Sequence, residues 1–154
     1  MATTEQLAFL LKAFNGAQAA QHVYPAMAAC EAALESTWGT SELAIRANNL
    51  FGQKQATRPI YGTLMLPTKE FINSEWVTED AYWVTFPLIA DCFTARMDTL
   101  ERLAPTYPHY ALALEAKTPE EYVTEVSLSW STDPNRAANC IDIYHAHLSV
   151  LSAS

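Results

Sequence analysis

The sequence predicts a predominantly helical α+β fold with one small antiparallel β lobe inserted between helices. Three observations carry that prediction. Capped segments with apolar residues at i, i+3, i+4 and i+7 occupy both ends of the chain. Between them, from Asn49 to Phe86, Pro, Thr, Trp, Tyr and β-branched residues replace the Ala-rich pattern. The length, 154 residues with half of them hydrophobic, suits one domain, residues 1–154, around one core.

The elements follow in order. Thr3 with Gln6 three positions later fits a capping box, and Leu7, Leu10, Leu11 and Phe14 make the first helix's stripe, with Asn15-Gly16 as its stop. Pro25 opens a second helix with the stripe Val23, Met27, Cys30 and Leu34, running to Gly39. A short helix from Thr40 or Ser41 to Ala47 ends at Asn48-Asn49. In the β lobe, about residues 60–87, strands are expected at Thr68 to Ile72 and Val77 to Phe86, joined by a turn at Asn73-Ser74. A hairpin of this size is only marginally stable alone, so the lobe belongs to the helical domain. Ile89, Phe93, Met97, Leu100 and Leu103 line the next helix. Thr118-Pro119-Glu120-Glu121 starts another, with an N-cap Thr and Pro at the first helical position. Asp133-Pro134 begins the last, whose face is Ala137, Ile141, Tyr144, Leu148 and Leu151.

Charge narrows the function classes. With 9 Lys+Arg against 17 Asp+Glu, the net charge is −8, which argues against nucleic acid and gives no attraction to anionic lipid or polymer. No apolar segment reaches the ~20 residues that span a bilayer, so membrane insertion is not expected. Met1 to Gln6 lacks the basic and apolar pattern of a secretory signal. Cys30, Cys92 and Cys140 lie in apolar helical settings and read as buried free thiols, with one disulfide and a spare thiol as the alternative. His145 and His147 are two apart and share no helix face, while His22 and His109 are isolated, so neither a metal nor another cofactor is expected.

Chemistry concentrates around Glu35. It closes a strongly apolar helix and is followed at once by Trp38 and Gly39. Poor solvation disfavours the charged carboxylate and raises its pKa, which prepares a general acid. Glu31 lies one turn earlier on the same face. Two poorly solvated carboxylates would resist ionising together, so Glu31 is a candidate for tuning Glu35.

Glu35-Ser36-Thr37-Trp38-Gly39, followed by Asn49-Leu50-Phe51-Gly52-Gln53-Lys54, resembles the glucosaminidase family of peptidoglycan hydrolases, glycoside hydrolase family 73. Pro67-Thr68-Lys69-Glu70-Phe71 and Ser131-Thr132-Asp133-Pro134 extend the match in the family's order, from about Pro25 to His147. The resemblance implies a lysozyme-like fold and cleavage of the β-1,4 bond between N-acetylglucosamine and N-acetylmuramic acid in peptidoglycan glycan strands. It matches Glu35 to the family's general acid and Glu70 to a second acidic residue on the β lobe, where Glu75, Glu79 and Asp80 compete for that role. Trp38, Asn49, Phe51 and Trp130 are the candidate substrate-binding residues, with Phe51 and Trp130 foremost among aromatics that include Tyr61, Trp76 and Trp83. Thr37 stands where the family usually has Gly, Glu31 where it commonly has Gln, Trp130 where it generally has Tyr, and Ile89 near another expected Tyr.

A lytic transglycosylase on the same fold and a non-catalytic glycan-binding module are the alternatives. The chain is expected to act as a monomer on the wall or periplasm, reached by non-Sec export, by phage lysis or after removal of a leader. Neutral sugar contacts are expected to dominate. A local basic patch, were there one, would fall around Lys54 and Arg58.

Overall fold

The computed structural model describes residues 2–55 and 61–152. In chain order the elements are α1 (Thr4–Ala19), α2 (Pro25–Glu35), α3 (Glu42–Ala47), β1 (Gly62–Ile72), β2 (Glu75–Thr85), α4 (Ile89–Leu103), α5 (Pro108–Leu114), α6 (Pro119–Trp130), α7 (Arg136–Ala146) and α8 (Leu148–Ser152). Helices dominate, and a two-stranded antiparallel hairpin sits between α3 and α4, as the sequence predicts.

Thr3 and Gln6 form the expected capping box. Asn15-Gly16, however, does not end α1. A Cβ on Gly16 would lie 2.8 Å from Ile89 Cγ2, so the glycine serves close approach of α1 to α4 rather than termination. In α2 every residue from Met27 to Ala33 is buried, as an apolar helix without a polar face requires. It packs against α1, α6 and α7.

α2 ends at Glu35, four residues before the predicted Gly39. There the backbone reverses through a left-handed run, with φ of 51° at Thr37, 55° at Trp38 and 79° at Gly39. Ser36 Oγ ties the turn, donating to Ala32 O (2.6 Å) and accepting from Gly39 N (2.9 Å). Only Gly fits the last position, since a Cβ there would meet the Phe9 ring at 2.3 Å. Thr37 takes the same kind of conformation with a β-branched side chain and pays in strain.

The hairpin register pairs Gly62 with Thr85 and Ile72 with Glu75 around Asn73-Ser74, both at positive φ as a two-residue type I′ turn demands. β1 starts six residues before the predicted Thr68. Pro67 argues against a strand, but β1 is an edge strand among the described residues, where a missing N–H is tolerated. α5 was not predicted; its signals are Pro108 at the first turn and buried Tyr110 and Ala113. The last helix begins at Arg136, two residues after Pro134, and breaks at His147. There the imidazole Nδ1 bonds Ile143 O at 2.8 Å, occupying the carbonyl a continuing helix would give to the backbone.

The three cysteines are free and buried, and burial pushes Cys92 and Cys140 up to about 12. The core's polar centre is fully enclosed. Arg96 of α4 donates from Nη1 to Glu31 Oε1 (3.1 Å) and from Nη2 to Glu31 Oε2 (2.7 Å). Tyr122 of α6 donates its hydroxyl to Glu31 Oε1 at 2.5 Å. His22 donates from Nδ1 to Val23 O (2.6 Å), leaving Nε2 to accept from Arg96 Nη1 (3.3 Å). That pairing requires a neutral ring, and burial together with Arg96 lowers the His22 pKa to about 4.

Two predictions follow from the turn and the core. Thr37→Gly should raise unfolding stability by about 1 kcal/mol by relieving the left-handed strain. Gly39→Ala should lower it by about 2 kcal/mol or more; urea midpoints for both variants check the pair. Because the unfolded chain binds a proton at His22 near pH 6.5 and the folded chain refuses it until about pH 4, stability should fall by about 3 kcal/mol as pH drops through that window. His22→Gln should flatten this part of the stability–pH curve. An equal slope in the two proteins would remove His22 from the account.

Candidate active site

Glu35 sits at the last turn of α2, where the helix leaves the core, and its side chain is 20% exposed. Arg136, at the start of α7, reaches it from below. Its Nε donates to Glu35 Oε1 at 3.0 Å, and its Nη2 lies 2.9 Å from the same oxygen and 2.7 Å from Glu31 Oε2. Nη1 donates to Ser127 Oγ at 2.9 Å, which fixes the guanidinium plane. Among the described residues, the other carboxylate oxygen, Glu35 Oε2, receives only a long hydrogen bond from Trp130 Nε1 (3.4 Å). One oxygen is anchored and the other is lightly held.

The electrostatics of the two carboxylates diverge. Burial alone would raise Glu31, but Arg96 and Arg136 hold it well below the usual carboxylate range. Burial raises Glu35, with Arg136 and Arg96 pulling it down and the Glu31 charge pushing it up, and the net direction is upward. The two do not ionise alike: two guanidiniums keep Glu31 ionised. Its charge then adds to the burial that favours a protonated Glu35.

Glu35 opens into a groove of about 270 Å³ walled by Ser41, Glu42 and Leu43 of the α3 region and by Leu66, Pro67 and Trp83 of the hairpin. Gly52 also lines a second cavity, of about 380 Å³, together with Phe51, Lys54, Arg102, Tyr110 and Trp130. Trp130 joins the two, since it lines the second and hydrogen-bonds Glu35 in the first.

The structure gathers Glu35, Asn49, Phe51 and Trp130 around this cleft. Asn49 is spent on bracing: Nδ2 donates to Gln53 O (2.9 Å) and Val84 O (3.0 Å), while Oδ1 accepts from Gln53 N (2.9 Å). Phe51 is buried and lies against the Arg96 guanidinium at 4.5 Å, with Trp130 on the same guanidinium at 4.2 Å. Trp38 lies elsewhere, edge-on to His147 at 5.8 Å. Glu31 is inside the core, out of reach of any substrate. Glu70 lies on the same strand face as Leu66 but does not line the groove, and its carboxylate pairs with Lys54 Nζ at 3.7 Å. Arg96 and Arg136 were missed. The available signal was a charged residue among the apolar positions of α4, Ile89, Phe93, Arg96 and Leu100, which share one helix face and demand a buried partner.

Among the described residues no group of His, Cys, Asp or Glu is placed to hold a metal ion, and no helix is long and apolar enough to cross a membrane.

Comparison with known proteins agrees with the geometry. A family model described as "Glucosaminidase: Mannosyl-glycoprotein endo-beta-N-acetylglucosaminidase" matches residues 11–148. A probable N-acetylmuramidase of Lactococcus lactis subsp. lactis (strain IL1403) is 32% identical over 127 residues, covering 76% of this chain and 27% of the relative. The chain thus spans about a quarter of that relative's length. The catalytic domain of the autolysin Auto from Listeria monocytogenes superposes with a TM-score of 0.81 at 22% identity, covering all of this chain and 90% of that one. The FlgJ glycoside hydrolase domain from Salmonella typhimurium gives 0.74 at 24% identity, covering 94% and 98%. At such identities the two structures show the fold, which is the lysozyme-like α+β architecture expected from the motifs. With the family match over most of its length, the chain belongs to the glucosaminidase family of peptidoglycan hydrolases, a family of glycoside hydrolases.

Proposed function

We propose that this chain hydrolyses the β-1,4 bond between N-acetylglucosamine and N-acetylmuramic acid in peptidoglycan, with Glu35 as general acid. The observation that supports this most is a half-enclosed carboxylic acid, raised by burial, at the wall of a cleft, with one oxygen anchored and the other free to carry a proton. Arg136 holds Oε1, so the proton resides on Oε2. As the glycosidic C–O bond breaks, that proton passes to the leaving oxygen, and the negative charge left on Glu35 falls beside Arg136. Water supplies the hydroxyl to the anomeric carbon, and its proton restores Glu35. Glu70 either activates that water or yields the role to the substrate's own N-acetyl group. Its place outside the groove lining, paired to Lys54, favours the N-acetyl route. Action takes place in the wall or periplasm, reached by non-Sec export, phage lysis or loss of a leader.

Mass spectrometry of sacculi digested by wild type and variants tests the reading. Glu35→Gln should lose about 10²–10⁴-fold in rate, and Glu70→Gln far less. Equal digestion by Glu35→Gln and wild type would remove the assignment, and anhydro ends on the products would make the enzyme a transglycosylase. Because the acid must be protonated to act, activity should fall as pH rises through the Glu35 pKa. Removing the nearest opposite charge with Arg136→Gln should move that alkaline limb to higher pH, by about one to three units. A limb that stays in place in a folded Arg136→Gln protein would show that the guanidinium does not set Glu35's protonation.

A further inference from the structure

The hairpin's two faces differ in what they expose. Strand alternation and register put Glu70, Glu75 and Glu79 on one face, together with the groove-lining Leu66 and Trp83. The other face carries Met65 paired with Tyr82 towards the base and Phe71 paired with Trp76 at the tip. All four are exposed, and the two rings at the tip lie 5.2 Å apart. Between these pairs sit Lys69 and Asp80, one charge of each sign, and neither has an ion-pair partner among the described residues. Lys69, Trp76 and Thr78 bound a hollow of about 420 Å³ on this face. With Phe71 62% and Trp76 72% exposed, the four side chains leave roughly 500 Å² in water, near the top of the range for the largest patch on a monomer. A two-stranded hairpin is marginal by itself, so a face this apolar gains by being covered.

We propose that this face is where two copies of the chain meet, in a two-fold dimer that pairs hairpin with hairpin. Charge selects a second copy. The chain carries −8 overall, so two copies repel each other over most of their surface. Here the hairpin's glutamates turn to the opposite face, and what remains is one cation and one anion. In a two-fold contact residue i meets j while j meets i, so a surface holding one charge of each sign is complementary to itself. Turning one face onto the other about an axis across the strands lays the Phe71–Trp76 tip of each copy over the Met65–Tyr82 pair of the other. Lys69 of each copy then comes beside Asp80 of the other, and Tyr82 enters the hollow next to Trp76. The two patches together cover about 1,000 Å², the lower bound for a stable interface, which makes the dimer a weak one. It replaces the monomer expected from the sequence, because only the pairing register brings Lys69 and Asp80 onto one surface with four apolar side chains. The basic patch expected around Lys54 and Arg58 takes no part: Lys54 is paired with Glu70, and Arg58 lies outside the described residues. Such a dimer is independent of what the Glu35 cleft does.

Sedimentation velocity of the intact chain, from about 1 to about 200 μM, tests this. Wild type should pass from monomer to dimer within that range. Trp76→Ser, at a position 72% exposed and so without a role in the core, should abolish the dimer. Asp80→Lys sets like charges together at both ends of the contact and should weaken association about tenfold or more. Adding Lys69→Asp restores opposite charges and should bring association back to within about threefold of wild type. Far-ultraviolet circular dichroism checks that each variant keeps its fold. A chain that stays monomeric at the highest concentration, or a dimer that survives Trp76→Ser, would overturn the proposal. So would an Asp80→Lys dimer as tight as wild type, or a charge swap that fails to restore what Asp80→Lys loses. A monomer whose retention on insoluble peptidoglycan falls with Trp76→Ser would overturn it too, and give the face to the wall.

Discussion

Everything about this molecule's active face depends on one buried ion cluster. Glu31 is enclosed completely, and the guanidiniums of Arg96 and Arg136 meet it from α4 and α7 while Tyr122 closes it from α6. Taking such charges out of water costs several kcal/mol per ion, repaid only when geometry and hydrogen bonding are nearly complete. The cluster therefore dictates how α4, α6 and α7 meet α2, because any slippage would leave a buried charge without its partner. A well-packed apolar centre would be no less stable. What the ionic one adds is an arginine at the end of α2, locked in plane by Glu31 and Ser127 and offered to Glu35.

That arrangement explains how a carboxyl group beside an arginine keeps a raised pKa. Burial raises Glu35 and the Glu31 charge adds to it, while the guanidiniums pull the other way. Part of Arg136's charge is already spent on Glu31, so its pull on Glu35 is tempered. The same guanidinium that moderates the acid lies where its conjugate base would need a counter-charge. Arg96, for its part, lies against the rings of both Phe51 and Trp130 and so links the ionic core to the aromatic side of the cleft.

Much of this was legible in the chain and some was not, for physical reasons. Capping signals act locally, so Thr3, Ser41 and Thr118 each cap the helix they announce. Gly16 misled because its small size serves a contact with Ile89, far along the chain, and not its own backbone. Pro67 hid half of β1 because edge exposure is a property of the sheet, not of the strand. At the site, the apolar setting of Glu35 could be read from its own helix, and its raised pKa followed. Arg136 and Arg96 come from positions 101 and 61 residues away, and no local pattern reports a partner at that range. Asn49 and Phe51 lie at the cleft as expected, yet their atoms serve the loop and Arg96 before any substrate.

The cluster also constrains how such a sequence can arise by single steps. With a neutral side chain at position 31, Arg96 would be a cation enclosed without its carboxylate partner. A glutamate placed there first would be an anion enclosed without a cation. Arg136 alone escapes the dilemma, since Glu35 already offers it a partner. Losing any one of these charges therefore changes what the others must pair with. Glu31, Arg96 and Arg136 are thus coupled to one another, and through Arg136 to Glu35 at the cleft wall.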